Sequence, residues 1–300
     1  MKIVGRLKDD IASGQLVIFL GAGSSKAAGL DDSVELSKRL FKATGTLPEL
    51  LPYQSDLARL VARLDENPAF VRGWVNKKLK EYFLDYSNYR TLESHELILH
   101  LRLRAIFTTN FDSCLELAES RVKERHNRIV RVVYGDDEAA IYNEDPGKLK
   151  YFKLHGCCRE LDEHPGSAPN LVLTRKDFRE AGSRNANFMD AIRQYSYSCS
   201  IVFIGFRADR PENDHILGNI IEAYQQISAS FPKEPFKPFA VLPDISADDE
   251  RDITDSGLTP LRGSFDDFIH SAYDTSLILK KKEVIRWMAW KHLHVGFNPQ

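Results

Sequence analysis

Four short stretches of this sequence place chemically capable residues at the ends of apolar runs. In the first, Leu-Val-Ile-Phe-Leu leads into Gly21-Ala22-Gly23-Ser24-Ser25, with helix-like spacing over 26–40. Glycines at a strand-to-helix turn let a backbone approach an anion, and the free N–H groups of a helix start suit a pyrophosphate. The third glycine of GxGxxG is missing, with Lys26 in its place, and a turn kept tight only for packing uses the same residues. No Gly-Lys-Ser/Thr follows at P-loop distance. In the second stretch, Ala105-Ile106-Phe107-Thr108 ends in Thr109-Asn110-Phe111-Asp112 before a helix from Cys114. Ligands of open parallel sheets bind beyond the carboxyl ends of strands, which suits Asn110 and Asp112 for chemistry; turn formation and helix capping use the same residue types.

The third stretch, Tyr151-Phe152-Lys153-Leu154, ends in His155-Gly156. An imidazole titrates near neutral pH and can take or give a proton, and a neighbouring glycine leaves room for a ligand. A histidine in a chain with nine is ordinarily structural or solvated; the position of this one, at a strand end in step with the other turns, sets it apart. The fourth, Ser200-Ile201-Val202-Phe203-Ile204, opens into Gly205-Phe206-Arg207 and a loop through Asp209 and Asp214 to a helix near His215. That loop suits a ribose or phosphate, and equally an ordinary connection with its charges in water.

These stretches need a scaffold, and the apolar runs supply one. Candidate strands are 16–20, 105–108, 129–133, 150–154, 201–204 and 239–242; nearly all lack polar alternation, as strands buried on both faces do. Helical periodicity alternates with them, which predicts an α/β fold: a parallel sheet with helices on both faces. Between the first two strands, 33–103 contains helix-like spacing at 56–64, 70–86 and 93–101 and no strand, so it reads as a helical insertion packed on the sheet. Segments 160–170 and 231–238, rich in Pro and Gly, read as surface connections. The tail 280–294 reads as a basic amphipathic helix with Trp287 and Trp290, docked on its own domain or on a sister subunit.

Composition narrows the function classes. With 300 residues, 43% hydrophobic and 28% charged, the chain suits a folded core rather than disorder. Its 41 basic and 43 acidic side chains give a net charge of −2, so no global field favours nucleic acid or anionic lipid. Neither a signal peptide nor the roughly 20 apolar residues of a membrane span is seen, so a cytoplasmic location is expected. Four cysteines, Cys114, Cys157, Cys158 and Cys199, form neither a disulfide framework nor a CxxC zinc pair, and no metal is expected.

In their order along the chain, Gly-Ala-Gly-Ser-Ser with Gly29-Leu30 beyond it, Thr-Thr-Asn-Phe-Asp, Lys-Leu-His-Gly and Phe-Ile-Gly-Phe resemble the sirtuin-like NAD-consuming enzymes. Gly21 through Leu30 fits GAGxSxxxGI with Leu as its last residue, 109–112 stands where sirtuins carry Gln-Asn-Ile-Asp, and His155-Gly156 falls on their His-Gly pair. Leu173-Thr174-Arg175-Lys176-Asp177-Phe178 is similar to a stretch of bacterial relatives. The resemblance implies a Rossmann-like core at 1–44 and 104–275, a helical insertion at 45–103 and a C-terminal helix at 276–300. It implies NAD+ as substrate, with Asn110, His155 and Asp112 catalytic. Asn110 would orient the attacking water, His155 would accept a proton, and Asp112 would fix the turn or contact the substrate amide. The diphosphate would lie on Gly21, Ala22, Gly23 and Ser25, with Thr109 beside it and Gly205 and Phe206 on the adenosine side.

Two departures bear on the activity. Deacylating sirtuins continue the glycine loop into Pro-Asp-Phe-Arg, where this chain has Leu30-Asp31-Asp32-Ser33-Val34, and they carry paired CxxC zinc ligands. What remains resembles the zinc-free bacterial branch associated with anti-phage defence by NAD+ depletion. An NAD+ glycohydrolase is the expected activity; a protein deacylase and a silent NAD or ADP-ribose sensor are the alternatives. The same resemblance implies a homo-oligomer and a sensor partner such as an ATPase or Argonaute-like protein.

Overall fold

A computed structural model describes residues 3, 5–70, 72–122, 128–133, 148–163, 171–184, 186–206 and 238–278. Seven strands form one sheet in which every pairing is parallel: β1 (Leu16–Leu20), β2 (Ala105–Thr108), β3 (Arg128–Val133), β4 (Lys148–Lys153), β5 (Ser200–Ile204), β6 (Phe239–Leu242) and β7 (Thr259–Arg262), ordered β3-β4-β2-β1-β5-β6-β7. Side chains of successive strand residues point to opposite faces, so each apolar strand feeds two cores. Leu16, Ile18, Leu20, Ile106, Val202 and Ile204 join the core under the N-terminal helix Arg6–Ser13 and the helices of the insertion. Val17, Phe19, Phe107, Phe152, Ile201 and Phe203 join the other, covered by helices Ala186–Ser198 and Ala247–Asp255.

Register is held by a ladder of rings on the second face. Phe107 is paired with both Phe19 and Phe152, and Phe19 also with Phe203, so four phenylalanines lie side by side across β4, β2, β1 and β5. Their ring centroids are 4.5 Å (Phe107–Phe152), 5.8 Å (Phe19–Phe107) and 5.2 Å (Phe19–Phe203) apart. A one-residue slip would turn these rings to the wrong face, so the ladder aligns the carboxyl ends of the four strands.

The expected strands are found, with β3, β4 and β5 beginning one or two residues early and β4 ending at Lys153 rather than residue 154. Within 45–103 the insertion is helical, with Leu57–Asp65, Arg72–Phe83 and Glu93–Ile98 as its α-helices, and its described residues contain no strand. One helix expected over 26–40 is instead two, Ala22–Ala27 and Ser33–Ala43. Gly29 takes a left-handed φ of 96° after the first, and Asp32 and Glu35 form a capping box that starts the second. Within 160–170, expected to be irregular, Glu160–Glu163 is helical and 164–170 lies outside the described residues. Also outside lie 231–237, the loop from Arg207 through Asp214 with the helix near His215, and the tail helix at 280–294. No helix among the described residues is long and apolar enough to cross a membrane.

Candidate functional site

Successive connections diverge at β1: β2, β4 and β3 lie to one side, β5, β6 and β7 to the other. In parallel sheets such a divergence, at the carboxyl edge, is where ligands bind. All four chemically capable stretches emerge there from neighbouring strands. The loops after β1 and β5 meet backbone to backbone, with the Gly21 N–H donating to the Ile204 carbonyl (2.8 Å) and the Gly23 N–H to that of Gly205 (2.9 Å). A Cβ on Gly21 would stand 2.6 Å from the Gly205 oxygen, and one on Gly205, at φ 78°, 2.6 Å from the Ser24 nitrogen. The glycines are therefore required by this loop-to-loop contact whether or not an anion approaches. Phe206 closes its edge, packed against Phe19 at 5.4 Å and Phe203 at 5.9 Å.

Asn110 reaches this turn from β2. The Thr108 hydroxyl donates to the Leu20 carbonyl (2.9 Å) and accepts the Asn110 N–H (3.0 Å), which bends the chain beyond β2 toward β1. The Thr109 N–H adds a bond to the Leu20 carbonyl at 3.3 Å. The Asn110 amide nitrogen then lies 2.9 Å from the Gly21 carbonyl, 2.8 Å from Ser25 Oγ and 3.2 Å from Ser24 Oγ. With its nitrogen directed into the turn, this half-buried amide has its carbonyl oxygen Oδ1 as the remaining group for other contacts.

Ser25 and Asp112 fix that orientation. The Ser25 hydroxyl donates to Asp112 Oδ2 at 2.5 Å while accepting from Asn110. Asp112 is buried, and its Oδ1 also accepts the Cys114 N–H (2.9 Å). Burial pushes the Asp112 carboxyl up, but the Lys153 ammonium and the bonds from Ser25 and Cys114 outweigh it and hold the group below the usual carboxylate range. Lys153, fully buried at the end of β4, donates to the Asp112 backbone carbonyl and lies 3.5 Å from Glu116 Oε1. Burial disfavours its charge, yet the Cys157, Glu116, Tyr151 and Asp112 groups around it hold it well above the ordinary lysine value.

His155 follows β4 as Asn110 follows β2. Thr108 and Lys153 are register partners and the Leu154 N–H donates to the Thr108 carbonyl at 2.9 Å, so the two residues occupy matching places beyond adjacent strands. The imidazole is buried, 6% exposed, with the Phe111 ring 6.4 Å away. The structure thus joins Gly21, Gly23, Ser25, Asn110, Asp112 and Gly205 in one bonded unit with Ala22 and Phe206 on its border, and sets His155 on the adjoining strand end. Sequence reasoning passed over Ser24 and Lys153. A lysine inside an apolar strand was the available signal for Lys153, although its partners lie on another strand's loop. The segment 31–32, where deacylating sirtuins carry Pro-Asp, is bound into the protein: Asp31 pairs with Arg39 (2.6 Å), its N–H donates to the Tyr82 hydroxyl (2.7 Å), and Asp32 pairs with Lys26 (3.0 Å).

A family model described as "SIR2-like domain" matches residues 104–261. Among characterised proteins, the NAD(+) hydrolase ThsA of Bacillus cereus (strain MSX-D12) is similar, 25% identical over 209 residues. The match covers 70% of this chain and 40% of that protein, so this chain spans well under two thirds of its length.

Proposed function

We propose that this chain, which belongs to the SIR2-like family, is an NAD+ glycohydrolase that splits the nicotinamide–ribose bond with water and releases nicotinamide and ADP-ribose. The reading is carried by the polarity of the Asn110 amide: an acceptor oxygen is left over at the carboxyl edge of the sheet, one strand from an imidazole. The name of the similar Bacillus cereus protein, NAD(+) hydrolase, supports the same class of activity.

Cleavage of this bond passes through an oxocarbenium-like state at the anomeric carbon. The leaving group is already cationic, so no strong acid is needed; the protein must hold the ribose and present water to its open face. In this reading Asn110 Oδ1 accepts a hydrogen from the attacking water or a ribose hydroxyl. As the water oxygen bonds to the anomeric carbon, the electron pair of the breaking C–N bond neutralises the pyridinium nitrogen. The proton lost by the water passes to His155 and on to solvent. The diphosphate lies against Gly21, Ala22, Gly23 and Ser25 with Thr109 beside it, and the adenosine lies toward Gly205 and Phe206. Ser25 serves through its backbone, because its hydroxyl is engaged between Asn110 and Asp112. Asp112 accordingly fixes the turn rather than touching substrate. Protein deacylation is the weaker reading, since Asp31 and Asp32 are held in caps and ion pairs where an acyl-substrate loop would be needed.

Chromatography of products from purified protein with NAD+ as the sole substrate tests the proposal. Nicotinamide and ADP-ribose should appear in equal amounts, and His155→Ala and Asn110→Ala should abolish both without unfolding the protein. Full activity in both variants refutes the assignment; turnover that needs an acylated peptide favours the deacylase. A defence role by NAD+ depletion, a homo-oligomer and a sensor partner belong to the same proposal, and sizing with and without candidate partners examines the assembly.

A further inference from the structure

The geometry points to Arg72, in the helical insertion, as a positioning residue that holds His155 in place through the segment 171–174; the inference rests on the NAD+ reading above. Leu171, Val172, Leu173 and Thr174 are all buried, although they belong to no strand. Leu171 and Leu173 enter the core shared with the insertion, and Val172 the core on the other face. The Val172 N–H donates to the His155 carbonyl at 3.1 Å, so this strap is bonded to the backbone of the histidine itself.

Both neighbours of Val172 are clamped. Asp177 Oδ2 accepts the N–H groups of Leu173 (3.0 Å) and Thr174 (2.8 Å), and the Thr174 hydroxyl accepts the Asp177 N–H (3.2 Å), a reciprocal cap that opens helix Arg175–Arg184. The Arg72 guanidinium donates to the same Asp177 oxygen (2.9 Å), to the Leu171 carbonyl (3.3 Å) and to Asp65 Oδ2 (2.5 Å). One planar cation thereby ties the insertion helices Leu57–Asp65 and Arg72–Phe83 to the strap; an ammonium has no fork with which to serve two carboxylates and a carbonyl together. Burial opposes the Arg72 charge, but Asp65 and Asp177 outweigh it, and Arg72 in turn helps hold the half-buried Asp177 carboxyl below its ordinary range. The arrangement also gives the Thr174 and Asp177 of the Leu-Thr-Arg-Lys-Asp-Phe stretch a physical purpose.

Releasing the clasp frees the strap, and the His155 backbone with it, to shift, and a misplacement of about 1 Å is enough to cost a large factor in rate. The test uses Arg72→Ala, Arg72→Lys and Asp177→Asn in the full chain, with steady-state NAD+ hydrolysis per folded molecule and amide hydrogen exchange measured in parallel. Arg72→Ala and Asp177→Asn should lower kcat about tenfold or more with KM changed less than about twofold, since misplacing a reacting group costs rate rather than binding. Arg72→Lys should fall between them and the parent. Exchange at Val172 should quicken while amides of β1 and β5 keep their parental rates. Parental kcat in both variants overturns the inference, as does exchange that accelerates uniformly through β1 and β5, which marks general destabilisation. Should Arg72→Ala not fold, Asp177→Asn, which keeps a capping oxygen, decides by the same criteria. A parent protein without NAD+ turnover defeats the NAD+ reading instead, and Val172 exchange still decides whether the clasp holds the strap.

Discussion

Asp112→Asn perturbs the contacts that orient the Asn110 amide while keeping the size of the side chain. The carboxylate accepts the Ser25 hydroxyl at 2.5 Å and the Cys114 N–H at 2.9 Å, and its charge faces the buried Lys153 ammonium. An amide at this position can keep the Cys114 bond with its oxygen but offers an NH2 group to Ser25. Losing a hydrogen bond to a charged acceptor costs about 1.5–3 kcal/mol. Part of the compensation for Lys153 goes too, so a destabilisation of about 3 kcal/mol is expected at pH 7. At about 2–4 °C per kcal/mol for a chain of this size, the melting temperature should drop by roughly 6–12 °C. The sign with pH follows from a carboxyl held below its ordinary value: its contribution is present above the unfolded-state value near 3.8 and is lost as pH falls through the folded one, so parent and variant should converge in acid. Activity should suffer separately, because a Ser25 hydroxyl that now accepts from residue 112 turns its hydrogen toward Asn110 and favours a flipped amide with NH2 at the sheet edge. Thermal melts across pH, NAD+ turnover, and a double-mutant cycle with Ser25→Ala read out each part. If Asp112 acts through Ser25, the double variant should be little worse than the more damaging single one. A melting temperature within about 2 °C of the parent at pH 7, or strictly additive losses of activity, would refute this reasoning.

Two further outcomes follow from contacts outside that relay. Gly205→Ala, at φ 78° with its new Cβ 2.6 Å from the Ser24 backbone nitrogen, should cost about 3 kcal/mol in urea melts and remove NAD+ hydrolysis by parting the β1 and β5 loops. His95 is buried against Phe265, and burial, only partly offset by Asp112 and Asp266, holds its imidazole at about 4 against an ordinary 6.5. The unfolded chain takes up this proton first, so stability should fall as pH drops from 6.5 toward 4, by on the order of 3 kcal/mol; His95→Phe should flatten that part of the stability curve.

What the sequence discloses about this fold depends on where the determining contact lies. Strands β1, β2 and β5 are buried along their whole length, and burial on both faces writes itself as an unbroken apolar run. The edge strand β7 has no such run: Thr259-Pro260-Leu261-Arg262 is partly exposed throughout, and its proline is tolerable because an edge strand needs ladder bonds on one side only. The break between helices Ala22–Ala27 and Ser33–Ala43 was locally encoded, since Asp32 and Glu35 have capping-box spacing, but the apolar periodicity continues across the junction and masks it.

The candidate site divides in the same way. That chemistry should gather around Gly21, Asn110 and His155 follows from three apolar runs ending in polar turns, because a parallel sheet brings such ends to one edge. Which atoms are available there is a different kind of fact. Gly21 and Gly23 read as room for a phosphate, but the side on which their Cβ atoms would stand is also claimed by the backbone of Gly205, which follows a strand that becomes their neighbour only when the sheet forms. Asn110 as a residue type offers both donors and an acceptor, and only the Gly21 carbonyl, with Ser24 and Ser25, selects which end is committed to the fold. The amide can therefore present an acceptor to a ribose hydroxyl or a water without turning, because rotation would set its oxygen against the Gly21 carbonyl and forfeit its bonds to the turn. That penalty is what makes the glycine turn part of the proposed chemistry.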